Sequence, residues 1–375
     1  PFPAGYKYDY CNPDVLLNRL AVSNGKITTP EGQTYRLLWI PENKRMRPET
    51  LERLHNLIEQ GATVVANAPK SIATLVGGEQ ANQRFDNAVN AIWGNAKSGG
   101  ITTIGKGRLL SGVTIEQALQ ILDIKEDVRG NVRWLHRQVK GADWYFVTPE
   151  KLSSFNGKVE FHATGAAELW NPVTGETTPL DVERNGEYAV ANLDMPKAGS
   201  CFVVFQHKGK QKSAPKPQYN NTLAINGEWT ISFPEGWGAP AELKTTELKP
   251  WCELPLSNEG KAFSGTATYT TNFELEQLSD NILLNLGNVD MIAEVTINGH
   301  TLRPLWCAPY SINITDYTKQ GTNTLQIKVT STWFNRLVYD AAQPEAERKT
   351  WTINGPSANR ELRANGLMGP VSLRY

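Results

Sequence analysis

Paired carboxylates are the side chains in this sequence best suited to acid and base chemistry. Glu160 and Glu168 bracket a strand and loop, and Asp290 and Glu294 sit beside the tight turn at Asn298-Gly299. Neither pair comes with a cluster of partners suited to raising one pKa, so we read both as solvated strand faces. His136, His162 and His207 stand isolated among strands and read as structural or surface groups. Cys11, Cys201, Cys252 and Cys307 lie far apart, with no Cys-x-x-Cys pair and no adjacent His, so no metal site follows. A Cys252–Cys307 bridge would require close approach of the two Cβ atoms. Residues 105–112 (GKGRLLSG) lack the third glycine of the dinucleotide fingerprint and do not join a first strand to its helix, which argues against nucleotide binding.

The second kind of chemistry is stacking. The chain holds 11 Trp and 12 Tyr, flat apolar faces that could lie against sugar rings but that serve equally as large core residues in β proteins. Trp306, Trp333, Asn335, Arg336, Trp351 and Arg360 could form a sugar platform near the end of the chain, aromatics on ring faces and Arg or Asn on hydroxyls. Tyr10 could stack and Asn12 bond a hydroxyl. The preferred reading is that Asn12 caps a helix opening at Pro13 while the tyrosines fill an interdomain contact. Lys+Arg and Asp+Glu balance at 38 each, leaving no field to draw in nucleic acid or an anionic membrane. No apolar run of about 18 residues is present, so no membrane insertion is expected. The start at Pro1, without Met or a signal core, reads as an internal start.

These residues need elements to hold them. At 375 residues the chain fits three domains. Over 1–130, helical and strand segments alternate. Residues 48–60 carry Leu51, Leu54, Leu57 and Ile58 at helical spacing, stop at Gly61 and resume as the strand TVVA, and residues 114–124 form a helix capped by Thr114. That rhythm predicts a small, mostly parallel α/β domain of flavodoxin-like kind, too short for an eight-stranded barrel. From 131 to 212 closely spaced strands predict a small antiparallel β-sandwich. A linker follows at 213–219, and 220–375 reads as a larger jelly-roll β-sandwich essentially without helix.

Within the last domain, residues 263–269 (FSGTATY), 284–289 (LNLGNV), 293–299 (AEVTING), 309–310 (PY) and 321–325 (GTNTL) resemble the galactose-binding-like jelly roll attached to many glycoside hydrolases. With 332–337 (TWFNRL), 348–351 (RKTW), 366–370 (GLMGP) and the opening YDYCNPDVLLNRL, the chain resembles the C-terminal half of glycoside hydrolase family 106, the α-L-rhamnosidases. The resemblance implies an inverting enzyme whose two catalytic glutamates, with a calcium ion near them, belong to an upstream catalytic barrel. No catalytic residue and no cofactor is therefore expected in this chain. The expected partners are that barrel and carbohydrate, and the resemblance implies a periplasmic or extracellular location. The alternatives are a part of another glycosidase, such as a β-galactosidase or β-glucuronidase relative, and a stand-alone carbohydrate-binding module.

Overall fold

The computed structural model describes residues 2–42, 44–214 and 217–375. Residues 215 and 216 of the expected linker lie outside the described residues.

The first apolar core runs from Leu16 to Leu109. Asn12 caps the helix Pro13–Asn18, its side chain accepting the Val15 N–H at 2.9 Å. The turns at Asn24-Gly25 and at 31–32 fold the following residues into a three-stranded antiparallel sheet of Ala21–Ser23, Lys26–Thr28 and Thr34–Tyr35. The helix Pro48–Gln60 buries Leu51, Leu54, Leu57 and Ile58 completely, because four apolar residues spaced three, three and one apart fall on one face. It ends at Gly61 and leads into the buried strand Thr63–Val65.

The α/β sheet is mostly parallel, as expected, but one edge strand departs from the parallel, flavodoxin-like form. Its order is Leu38–Trp39, Thr63–Val65, Gly107–Ser111, Gly100–Ile104; the first two pairings are parallel and the last is antiparallel. The last two strands are joined by Gly105-Lys106 alone, and a two-residue turn can only return the chain antiparallel. A helix absent from the sequence reading, Gly78–Trp93, covers this unit with Ala81, Phe85, Ala88 and Ile92 inward. The helix Ile115–Ile121 closes it, begun by a reciprocal capping box between Thr114 and Gln117.

The second core, from Val128 to Phe205, lies between two antiparallel sheets. One consists of Val128–Arg129, Phe155–Phe161, Tyr188–Met195 and Val182–Asn185. The other orders Val132–Val139, Ala142–Pro149, Cys201–Gln206, Ala166–Trp170 and Thr177–Pro179. Residues before Val128 are stitched to it: the Asp127 N–H donates to the Gly5 carbonyl at 2.8 Å, and the Tyr188 hydroxyl to the Glu126 carbonyl at 2.9 Å.

The third core, from Ile225 to Leu373, lies between a six-stranded and a four-stranded antiparallel sheet. The long strands Thr266–Leu275 and Gly321–Thr330 pair along their whole length, and alternate residues of each point inward. Contrary to expectation, this part carries helix. The segment Phe334–Ala341 is an α-helix of eight residues, and Asn258–Lys261 forms one turn. The jelly-roll strand signals around it concealed a helix of whose four buried residues only Val338 is apolar, the others being Asn335, Arg336 and Asp340. All four cysteines are free, so Cys252 and Cys307 are not bridged.

Candidate functional site

The helix Phe334–Ala341 organises the expected platform region. Trp333, directly before it, is half-exposed and rests against Trp237 with ring centroids 5.2 Å apart. Asn335 is buried and bonds the Arg363 backbone twice, donating from Nδ2 to the carbonyl and accepting the N–H at Oδ1, both at 2.8 Å. That clamp holds residues 359–363 beside Phe334, and Phe334, Asn359, Arg360, Glu361, Leu362 and Arg363 line a cleft of about 410 Å³. The Arg363 guanidinium lies 3.6 Å from the Phe334 ring centroid.

Arg336 takes a different part from the one expected of it. Only 1% of its side chain is exposed, and the guanidinium donates to Glu259 at 2.8 Å and to Asp340 at 2.7 Å. Burial works against a charge on Asp340, but the Arg336 guanidinium and the Thr350 hydroxyl and N–H outweigh it and hold the carboxyl below its usual range. Arg336 is thereby committed to the interior, and Asn335 to the loop. Arg360 is exposed on the cleft. Trp306 and Trp351 are exposed at 57% and 77%, without a ring partner among the described residues. The structure therefore brings Trp333, Asn335 and Arg360 to one region and adds Trp237 and Phe334, which sequence reasoning missed. An aromatic immediately before an Asn at a helix start was the available signal.

At the other end of the chain, Tyr10 is 93% exposed and packs edge-on against Tyr8 at 5.4 Å, while the Asn12 side chain serves its helix cap. The carboxylates weighed as pairs have structural partners. Glu160 meets Arg129 at 3.5 Å, and Glu168 accepts from Trp170 Nε1 at 2.9 Å in the opposite sheet. Asp290 accepts the Ser331 hydroxyl at 2.6 Å, and Glu294 faces Lys328 at 3.4 Å.

Two glutamates not singled out in the sequence, Glu42 and Glu116, share a cleft at the α/β sheet. Both are exposed, and the Glu116 carboxyl is held below its usual range by its own backbone N–H and the Thr114 hydroxyl. A glycosidic proton donor needs the opposite shift, so Glu116 is unsuited to that role. Among the described residues no group of three or more His, Cys, Asp or Glu side chains is placed to hold a metal ion.

The histidines of the first sandwich are not isolated as expected. His136 Nδ1 lies 2.8 Å from Asp127 and its Nε2 3.0 Å from Asp143, whose second oxygen meets His207 Nε2 at 2.7 Å. Tyr145 stacks on the His136 ring at 4.1 Å and donates to Asp127 at 3.0 Å. Strand pairing at 136–145 brings together residues that the sequence separates.

Comparison with known proteins bears on what these clefts serve. The profile of the α-L-rhamnosidase family, glycoside hydrolase family 106, matches residues 1–184. Residues 258–366 match the galactose-binding domain-like region of glycosyl hydrolase family 2. The solved structure of a rhamnosidase from Novosphingobium sp. PP1Y superposes on the whole of this chain with a TM-score of 0.87 and 30% identity. A protein of Formosa agariphila provisionally named beta-glucuronidase is 36% identical over 191 residues, 43% of this chain. This chain spans 36% of the Novosphingobium rhamnosidase, and its aligned part spans 16% of the Formosa protein. Among the described residues no helix is long and apolar enough to cross a membrane.

Proposed function

We propose that this chain is the non-catalytic, C-terminal accessory part of an inverting α-L-rhamnosidase that acts on complex polysaccharide outside the cytoplasm. It is divided into an α/β domain at 1–130, a small sandwich at 131–212 and a galactose-binding-like jelly roll at 220–375. The observation that carries this reading is the agreement of the entire chain with part of one rhamnosidase, at a TM-score of 0.87 over 36% of that enzyme. In this reading the catalytic carboxylates, and any calcium ion, belong to the part of the enzyme outside these residues. The chain's own role is to buttress that part, with the cleft lined by Phe334 and Arg360 available to sugar.

The test is the protein sequence encoded immediately before Pro1. The reading expects a barrel of at least about 200 residues with two carboxylates roughly 6.5–9.5 Å apart, and glutamine at either position should abolish rhamnoside hydrolysis. An upstream sequence with no such barrel would overturn it. A second reading, a β-glucuronidase relative, draws on the identity with the Formosa protein. Hydrolysis of aryl β-glucuronides but not α-L-rhamnosides by the longer protein would favour it.

A further inference from the structure

Three parallel strands of the α/β sheet end at one cleft. Glu42 follows Leu38–Trp39, Ala66 and Asn67 follow Thr63–Val65, and Val113 and Glu116 follow Gly107–Ser111. With Trp39 they line a cavity of about 300 Å³. Carboxyl ends of parallel strands are where open α/β sheets place ligands, because the loops leaving them diverge and open a crevice.

The lining is held in place. Trp93 Nε1 donates to the Ala66 carbonyl at 3.2 Å. The Asn67 side-chain oxygen accepts the Gly112 N–H at 2.7 Å and the Ser111 hydroxyl at 3.3 Å, which fixes the amide and leaves its NH2 group uncommitted among the described residues. Phe2 braces the half-buried Trp39 ring at 5.7 Å. From Phe2 the aromatic row continues to Tyr8 at 4.9 Å and then to the exposed Tyr10.

The chemistry of that lining selects a ligand. An indole offers a flat apolar face, an amide offers donors, and two carboxylates without ion-pair partners among the described residues offer acceptors. A pyranose ring presents the complementary surface, apolar C–H on its faces and hydroxyls at its edge. No Lys or Arg lines the cleft, so a phosphate or uronate would meet two like charges. We propose that this cleft is a subsite for a neutral oligosaccharide, with Trp39 beneath one ring and Phe2, Tyr8 and Tyr10 carrying the strand of sugar outward. The proposal does not rest on which enzyme the chain serves.

The experiment is an NMR titration of the 375-residue chain, labelled at the tryptophan indoles, with neutral rhamnose- and galactose-containing trisaccharides and with trigalacturonate as the anionic counterpart. The Trp39 indole signal, identified by its loss in Trp39→Phe, should move with a neutral trisaccharide and stay still with trigalacturonate. Asn67→Ala should weaken binding by about tenfold, and Glu42→Gln with Glu116→Gln should admit trigalacturonate. A thermal melt of each variant beside the parent separates lost binding from unfolding, since Trp39 is half-buried and Asn67 bonds Ser111 and Gly112. A Trp39 signal unmoved by every neutral trisaccharide at millimolar concentration would overturn the proposal. So would binding that survives Asn67→Ala but disappears in Arg360→Ala, since that would put the sugar in the jelly-roll cleft.

Discussion

His136 Nε2 stands 3.0 Å from Asp143 Oδ1 while its Nδ1 faces Asp127 at 2.8 Å, so both ring nitrogens point at carboxylates. A neutral imidazole carries one N–H and can satisfy only one of them, and the arrangement therefore calls for the imidazolium. Burial opposes that charge, but the hydrogen bonds and fields of Asp127 and Asp143 outweigh it and hold the His136 pKa above its ordinary value. A folded pKa above the unfolded one adds stability that is full below about pH 6.5 and disappears as pH rises through the folded pKa. Melting temperature should accordingly fall as pH rises from about 6.5 through the folded pKa in the parent, and fall less in His136→Gln. Equal slopes would contradict the assignment.

Arg336 and Asp340 are each 1% exposed, so removing one strands the other. Arg336→Ala should destabilise the jelly-roll part by about 3–5 kcal/mol, through an unpaired buried carboxylate and not through the worth of the pair itself. Denaturant unfolding gives the number. If the double variant Arg336→Met with Asp340→Leu is no more stable than Arg336→Ala, the stranded-charge explanation fails.

Gly366 has φ +93, and a Cβ there would lie 2.7–2.8 Å from the Trp251 indole and the Tyr269 hydroxyl. The same hydroxyl accepts the Leu367 N–H at 3.0 Å, so the backbone cannot retreat without losing that bond. Gly366→Ala should cost roughly 2–5 kcal/mol from backbone strain and overpacking together. A loss below about 1 kcal/mol by chemical denaturation would show that the loop relaxes.

The elements that were legible in the sequence are those whose signals are local. The Asn12 cap, the apolar face of Pro48–Gln60, the Thr114 capping box and the alternation along Thr266–Leu275 each declare themselves within a few residues. The antiparallel edge strand Gly100–Ile104 was missed although its two-residue turn at Gly105-Lys106 is local, because the strand itself was not read there. The helix Phe334–Ala341 was missed because its buried face is mostly polar: beside Val338 it carries Asn335, Arg336 and Asp340, whose partners Arg363, Glu259 and Thr350 lie outside the helix. The same holds for the site. Trp333 and Arg360 could be named from residue type alone, whereas the pairing of His136 with Asp143 and the meeting of Glu42 with Glu116 arise only from folding.

The central claim is that these residues hold and present sugar without cleaving it. The most direct measurement is hydrolysis of an aryl α-L-rhamnoside by the 375-residue chain at high enzyme concentration, beside its Glu42→Gln and Glu116→Gln variants. The account predicts release at the uncatalysed rate for all three. Turnover by the parent that either glutamine variant abolishes would place catalysis in the α/β cleft and contradict it.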